Sequence, residues 1–144
     1  MREKKFSYCL RVRFSEIDGQ RVVFNAHYMT YVEVVLNEYL REVIGPYHAM
    51  MLDSNHDFEI VLVKSEMEFM SPARLDDVLQ ISCGLIRLGN SSFSMEYEIR
   101  RENEEPLLAI ARKTYVSINL KKGKSCPIPP EIRQRFIDYE EWSD

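Results

Sequence analysis

Apolar residues recur along the chain with two different periods, and the switches between them predict the order of elements. In the first segment Phe6, Tyr8, Leu10, Val12 and Phe14 fall on one face, and Lys5, Ser7, Cys9, Arg11 and Arg13 fall on the other. A period of two is that of a strand with one buried face. Ser15 to Arg21 is a polar turn segment. Then Tyr28, Tyr31, Val32, Val35, Leu36, Tyr39, Leu40 and Val43 recur at i, i+3, i+4 and i+7. They form one broad apolar stripe on a helix of about four turns. Asn25 is the expected N-cap, since its side chain can accept an N–H of the first turn. Gly45-Pro46 ends the helix, and Met50 to Asp57 reads as loop.

Beyond the loop the period returns to two. Phe58 to Met70 is a long strand, broken by Ser71-Pro72. Leu79, Ile81, Cys83 and Leu85 share a face of the next strand, and Gly89-Asn90 marks a turn. Phe93, Met95, Tyr97 and Ile99 alternate in another strand, followed by the charged turn Glu102 to Pro106. Leu108, Ile110, Thr114, Val116 and Ile118 alternate in the last one. Lys121 to Lys124 is a loop, and Pro129-Pro130 opens a short helix over 131–136, with proline where a helix tolerates it best.

This order predicts an α+β protein of one domain over 1–144. Short connections imply antiparallel pairing, so a curved antiparallel sheet of about five strands would wrap around the central helix. Several strands are apolar on both faces, as at Val61, Leu62 and Val63. A sheet with such an edge and face is expected to find cover in a second copy, as a homodimer or homotetramer.

Composition narrows the function classes. The 144 residues are 45% hydrophobic and 29% charged, a globular profile, with a formal net charge of −4. A dedicated nucleic-acid binder would be basic. No apolar run approaches the roughly 18 residues of a membrane span. The charged start Met1 to Lys5 leads into the alternating segment without the apolar stretch of a secretory signal, so a cytoplasmic protein is expected. Cys9, Cys83 and Cys126 are odd in number and far apart, which argues against a disulfide framework or a zinc site. Free cysteines suit a reducing compartment, with Cys9 and Cys83 read as small hydrophobes in or near the core. His48 and His56 read as surface loop residues, and His27 as a surface residue of the first helical turn.

From "VRFSEIDGQRVVFNAHYMTYVEVVLNEYLRE" onward the pattern resembles the first strand, catalytic turn and central helix of the hotdog-fold acyl-CoA thioesterases of the 4-hydroxybenzoyl-CoA thioesterase family. That family includes the bacterial enzymes related to one encoded beside Tol–Pal genes. "FMSPARLDDVLQIS", "LGNSSFSMEYEI" and "YVSINLKKGKSCPIPPEIRQRF" resemble its later strands and C-terminus, in the right order. The resemblance implies a hotdog fold and hydrolysis of acyl-CoA to free acid and coenzyme A, with no metal and no cofactor beyond the coenzyme A of the substrate.

A thioester carries a good leaving group, because the departing thiolate has a pKa of about 8.5. The enzyme needs a carboxylate that attacks the carbonyl or deprotonates a water, and N–H donors for the oxyanion. Asp18 can supply the first, and the resemblance points to the backbone N–H of Asn25, at the positive end of the helix dipole, for the second. The alternative for Asp18 is a turn former that bonds its own backbone, as Asp before Gly often does. The resemblance places Glu33 against the acyl pocket and makes it the backup carboxylate; the alternative is a solvated flank residue. Tyr28 reads as core or pocket wall. Arg87, Asn90, Ser91 and Ser92 sit at the turn that resembles the family's phosphate contact, and their donors suit phosphate oxygens. An ordinary polar hairpin turn is the other reading. Two further functions stay open: an acyl-thioester dehydratase or hydratase, which would pair a His with an acid, and an acyl-CoA-binding module without turnover.

Overall fold

The computed structural model describes residues 3–51 and 57–143, so the loop expected over Met50 to Asp57, and His56 within it, lies largely outside the described residues. Strand β1 (Phe6–Arg11) is followed by a 3-10 turn at Phe14–Glu16 and the long helix α1 (His27–Ile44). A short helix α2 (Pro46–Met51) precedes β2 (Phe58–Phe69), β3 (Val78–Leu88), β4 (Ser92–Arg101) and β5 (Leu107–Asn119). A two-residue β6 (Lys124–Ser125) and helix α3 (Pro130–Glu140) complete the chain. All pairings are antiparallel, in the order β1-β3-β4-β5-β2, with β6 added to β5. The sheet curls around α1, and β1 and β2 are its edges.

The helical stripe is buried throughout: all eight stripe residues, from Tyr28 to Val43, lie in the core together with Ile44. Facing them are Leu79, Ile81, Cys83 and Leu85 of β3 and Phe93, Met95, Tyr97 and Ile99 of β4. Tyr39 ties α1 to α3 as its hydroxyl donates to Glu140 Oε2 at 2.7 Å, and its ring stacks on Phe136. α3 runs four residues past the expected 136 because Phe136 and Glu140 are both buried against this layer.

Several expectations are corrected. β5 buries the opposite face from the one its apolar residues suggest: Ala109, Ala111, Lys113, Tyr115 and Ser117 turn inward, while Ile110, Val116 and Ile118 are half-exposed. Asn25 is not the N-cap: α1 begins at His27 after Ala26, and the side chain of Asn25 is exposed and caps nothing. Phe14 leaves the strand face and stands 80% exposed, because the chain turns at Arg13. His48 is buried rather than on the surface, since Pro46–Met51 folds as a helical turn that carries it inward to Asn37 Oδ1, 3.4 Å away. Cys9 is exposed on edge strand β1, with its thiol donating to Glu102, whereas Cys83 is buried as expected.

Candidate active site

The segment between β1 and α1 folds into a tight hairpin-like turn. Ile17 bridges Val23, Asp18 N–H donates to Val22 O at 2.9 Å, and Arg21 N–H donates to Asp18 O at 3.0 Å. Arg21 takes the left-handed conformation this demands, at φ 67°. Asp18 Oδ1 accepts the Gln20 N–H at 2.8 Å and more distantly the Val22 N–H at 3.5 Å. Its Oδ2 accepts no hydrogen bond among the described residues. One oxygen of Asp18 therefore shapes the turn, as the turn-former reading has it, at a half-buried position.

What holds this turn is Glu16, a residue absent from the sequence-based candidates. It is 3% exposed. Its Oε1 accepts the Arg13 N–H at 2.8 Å and the Tyr31 hydroxyl at 2.7 Å, and its Oε2 accepts Arg13 Nε at 3.0 Å and Nη2 at 2.7 Å. Burial works to raise the Glu16 carboxyl, but the Arg13 amide, the Tyr31 hydroxyl and the guanidinium together hold it below the usual carboxylate range. Burial and the neighbouring carboxylate push the Tyr31 hydroxyl up, so it stays a donor. The one available signal was a helical stripe tyrosine, whose buried hydroxyl needs an acceptor. Glu16 thus fixes the Asp18 turn to the second turn of α1.

Main-chain bonds run on from the turn into the helix: Phe24 N–H donates to Glu16 O, and His27 N–H to Phe24 O, both at 2.9 Å. The N–H groups of Asn25 and Ala26 donate to nothing among the described residues. They are the free donors of a helix start, where the dipole favours negative charge. Asn25, Val23, Tyr28, Phe69, Met70, Ser71 and Pro72 line a cavity of about 220 Å³. Tyr28 is its inner wall, fixed by the Ala73 N–H donating to its hydroxyl at 3.0 Å and by an edge contact with Phe69. Asp18 belongs to the same turn, next to the Ile17–Val23 bridge, and Val23 and Asn25 of that turn line the cavity.

Glu33 stands exposed on the flank of α1 that looks toward β2, and its charge acts on Lys113, Tyr97 and Tyr115 beneath the helix. Its exposure is that of the solvated flank residue. The Arg87–Ser92 turn is not brought to the Asp18 turn within one chain. Arg87 Nη2 donates to Ser92 Oγ at 2.8 Å, and the Asn90 and Ser91 carbonyls accept from Ile128 and Ser117. The two turns lie at opposite ends of β3, whose eleven residues span roughly 33 Å. Among the described residues no group of three His, Cys, Asp or Glu could hold a metal, and no helix is long and apolar enough to cross a membrane.

A curled antiparallel sheet around one long helix, with a carboxylate turn at the start of that helix, defines the class of hotdog-fold thioester hydrolases. Comparison with known proteins agrees. Residues 12–136 match the family described as the thioesterase-like superfamily, and the chain belongs to it. It is similar to the acyl-CoA thioester hydrolase YbgC of Escherichia coli O6:H1, at 28% identity over 131 residues, 91% of this chain and 95% of that protein. A 1,4-dihydroxy-2-naphthoyl-CoA thioesterase from Synechocystis superposes with a TM-score of 0.83 at 25% identity, over 92% of this chain and 96% of its own. A hypothetical protein of Aquifex aeolicus superposes with a TM-score of 0.81 at 30% identity, over 91% of this chain and 98% of its own. The protein is a thioester hydrolase.

Proposed function

We propose that this hydrolase cleaves acyl-CoA to free acid and coenzyme A at the Asp18 turn. What supports the reading is that, among the described residues, the Oδ2 of Asp18 and the N–H groups of Asn25 and Ala26 make no hydrogen bond, in one turn whose Asn25 end lines the Tyr28 cavity; the substrate carbonyl is proposed to sit in the gap between them. The amides receive the carbonyl oxygen as it gains charge. Asp18 Oδ2 takes the proton of a water placed in the gap, and the attacking hydroxide displaces the thiolate. Coenzyme A enters only as substrate, and the chemistry asks for no metal or cofactor.

The site is completed by a second copy. β2 is a long edge strand with Leu62, Val63, Phe69 and Met70 exposed. Such an edge pairs with another strand. Antiparallel pairing of two β2 edges sets the Phe58 end of the partner beside the Phe69 end of this chain. It also turns the partner's phosphate-suited turn, equivalent to Arg87, Asn90, Ser91 and Ser92, toward this chain's Asp18. The 33 Å separation within one chain then ceases to matter. The assembly is a homodimer or a tetramer of such dimers, and the three free cysteines suit the cytoplasm.

The dehydratase alternative lacks its pair, because His27 and Glu33 are six residues apart and so about 120° apart around α1. Thiol release from a panel of acyl-CoAs is the test. Free thiol with every good substrate is expected. A change in enoyl absorbance without thiol would favour the dehydratase, and binding with neither would favour the binding module.

A further inference from the structure

Lys113 is 2% exposed, inside the sheet and under α1. Its ammonium finds one hydrogen-bond partner, the thioether of Met29, with Nζ 3.5 Å from Sδ. The Ser65 hydroxyl, opposite Lys113 in the β2–β5 register, donates to the same sulfur at 3.7 Å. A thioether is a weak acceptor, and no carboxylate lies within 4.0 Å of Nζ among the described residues. Next along the sheet, Tyr97 and Tyr115 pair hydroxyl to hydroxyl at 2.8 Å, so one donates to the other and the second hydrogen has no acceptor among the described residues. This pocket floor therefore holds donors in excess, and burial makes unmatched donors costly. Burial lowers the Lys113 pKa, and Glu33, one turn beyond Met29, acts against that and favours the charged form.

The position of this cluster is informative. Met29 lies in the first turn of α1, four residues after Asn25. Phe69 of the Asn25 cavity and Ser65 lie on one strand, four residues apart. The exposed flank of α1 and the exposed edge of β2 lie side by side here, joined by the Ser65–Met29 contact, and the flexible side chain of Met29 can move aside. We propose that an acyl chain bearing an oxygen acceptor toward its far end lies between α1 and β2, and that Lys113 is the residue that selects it. The inference rests on the thioesterase reading above, with the carbonyl at Asn25. A carboxylate and a neutral hydroxyl share the required chemistry.

The test compares kcat/KM for hexanoyl-CoA, 6-hydroxyhexanoyl-CoA and adipoyl-CoA, in the wild type and in Lys113→Met and Lys113→Arg. At least one oxygenated substrate is expected to exceed hexanoyl-CoA by about tenfold or more in the wild type. Lys113→Met should lose that lead, chiefly through KM, while hexanoyl-CoA turnover is kept, and Lys113→Arg should retain most of it. A lead for the hydroxyl substrate alone would mean that Glu33 turns the anion away, and a lead for adipoyl-CoA would identify a carboxylate ligand. Equal rates for all three in the wild type would overturn the proposal without any variant, as would a lead that survives Lys113→Met. Hydrolysis of none of the three would overturn the proposal, and thiol release from the wider acyl-CoA panel would then show whether the thioesterase reading stands without it.

Discussion

Two buried charges sit against α1, and the chain treats them in opposite ways. Glu16 is 3% exposed and accepts four hydrogen bonds, three from Arg13 and one from Tyr31. Lys113 is 2% exposed and donates only to a sulfur. Around Glu16 the backbone closes on itself through the Asp18 turn. Around Lys113 the flank of α1 and the edge of β2 stay open, with Met29, Leu62, Val63 and Phe69 exposed. A buried charge whose partners all come from the chain acts as structure, and here it fixes the turn that carries Asp18. A buried charge left without a counter-group points to something the single chain does not contain, either substrate or a second copy.

The largest expected effect breaks the open side. Leu62→Arg with Val63→Arg places charge on the β2 edge and should convert an oligomer into a 17.1 kDa monomer with most turnover lost. Sedimentation of the wild type as a stable monomer at micromolar concentration would remove the partner from the site.

The closed side is tested next. Glu16→Gln should lower stability at neutral pH by about 1–3 kcal/mol, since it weakens a buried charged network one end of which, Arg13, stays hydrated. Chemical denaturation measures it. The folded-state Glu16 carboxyl titrates below its ordinary 4.5. The stability from its ionised form is therefore present above that value and is lost as pH falls through the folded-state pKa. The difference between wild type and Glu16→Gln should be steady near neutrality and shrink in acid. A difference that grows in acid would contradict the assignment.

A smaller effect sharpens the role of the remote turn. Arg87→Ala with Ser91→Ala should raise KM for acyl-CoA several-fold with little change in kcat, as contacts equal in ground and transition states do. The effect should shrink for an acyl-N-acetylcysteamine, which lacks the nucleotide. Equal behaviour with both substrates would move the nucleotide elsewhere. The smallest is Lys113→Met, expected to raise stability by about 1 kcal/mol, because removing an unmatched buried charge relieves its desolvation. A clear fall in melting temperature would show that Lys113 has a structural partner.

The same contrast explains what could be read from the chain. Every residue of the α1 stripe proved buried, because a period of 3.6 over sixteen residues admits one reading. The strands were legible for the same reason, but the inward face of β5 was not. Ala109, Ala111 and Lys113 look less like a core than Ile110 and Val116 do, yet they are the buried ones. Asp18 was singled out through the resemblance to the family, since Asp-Gly alone reads as a turn, and a turn is what its Oδ1 makes. Glu16 was missed because its partner Tyr31 lies fifteen residues on. His48 and the Asn25 cap were misread because local propensity carried those readings, and tertiary contacts overrode it.

The central claim is that Asp18 does chemistry with the oxygen its turn leaves free. Asp18→Asn keeps the size and the Oδ1 acceptor for the Gln20 and Val22 N–H groups and removes the charge. The measurement is thiol release by this variant at saturating acyl-CoA, with its melting temperature taken on the same preparation. The account expects turnover to fall at least ~100-fold with melting nearly unchanged. Turnover near that of the wild type would contradict it and pass the chemistry to Glu33.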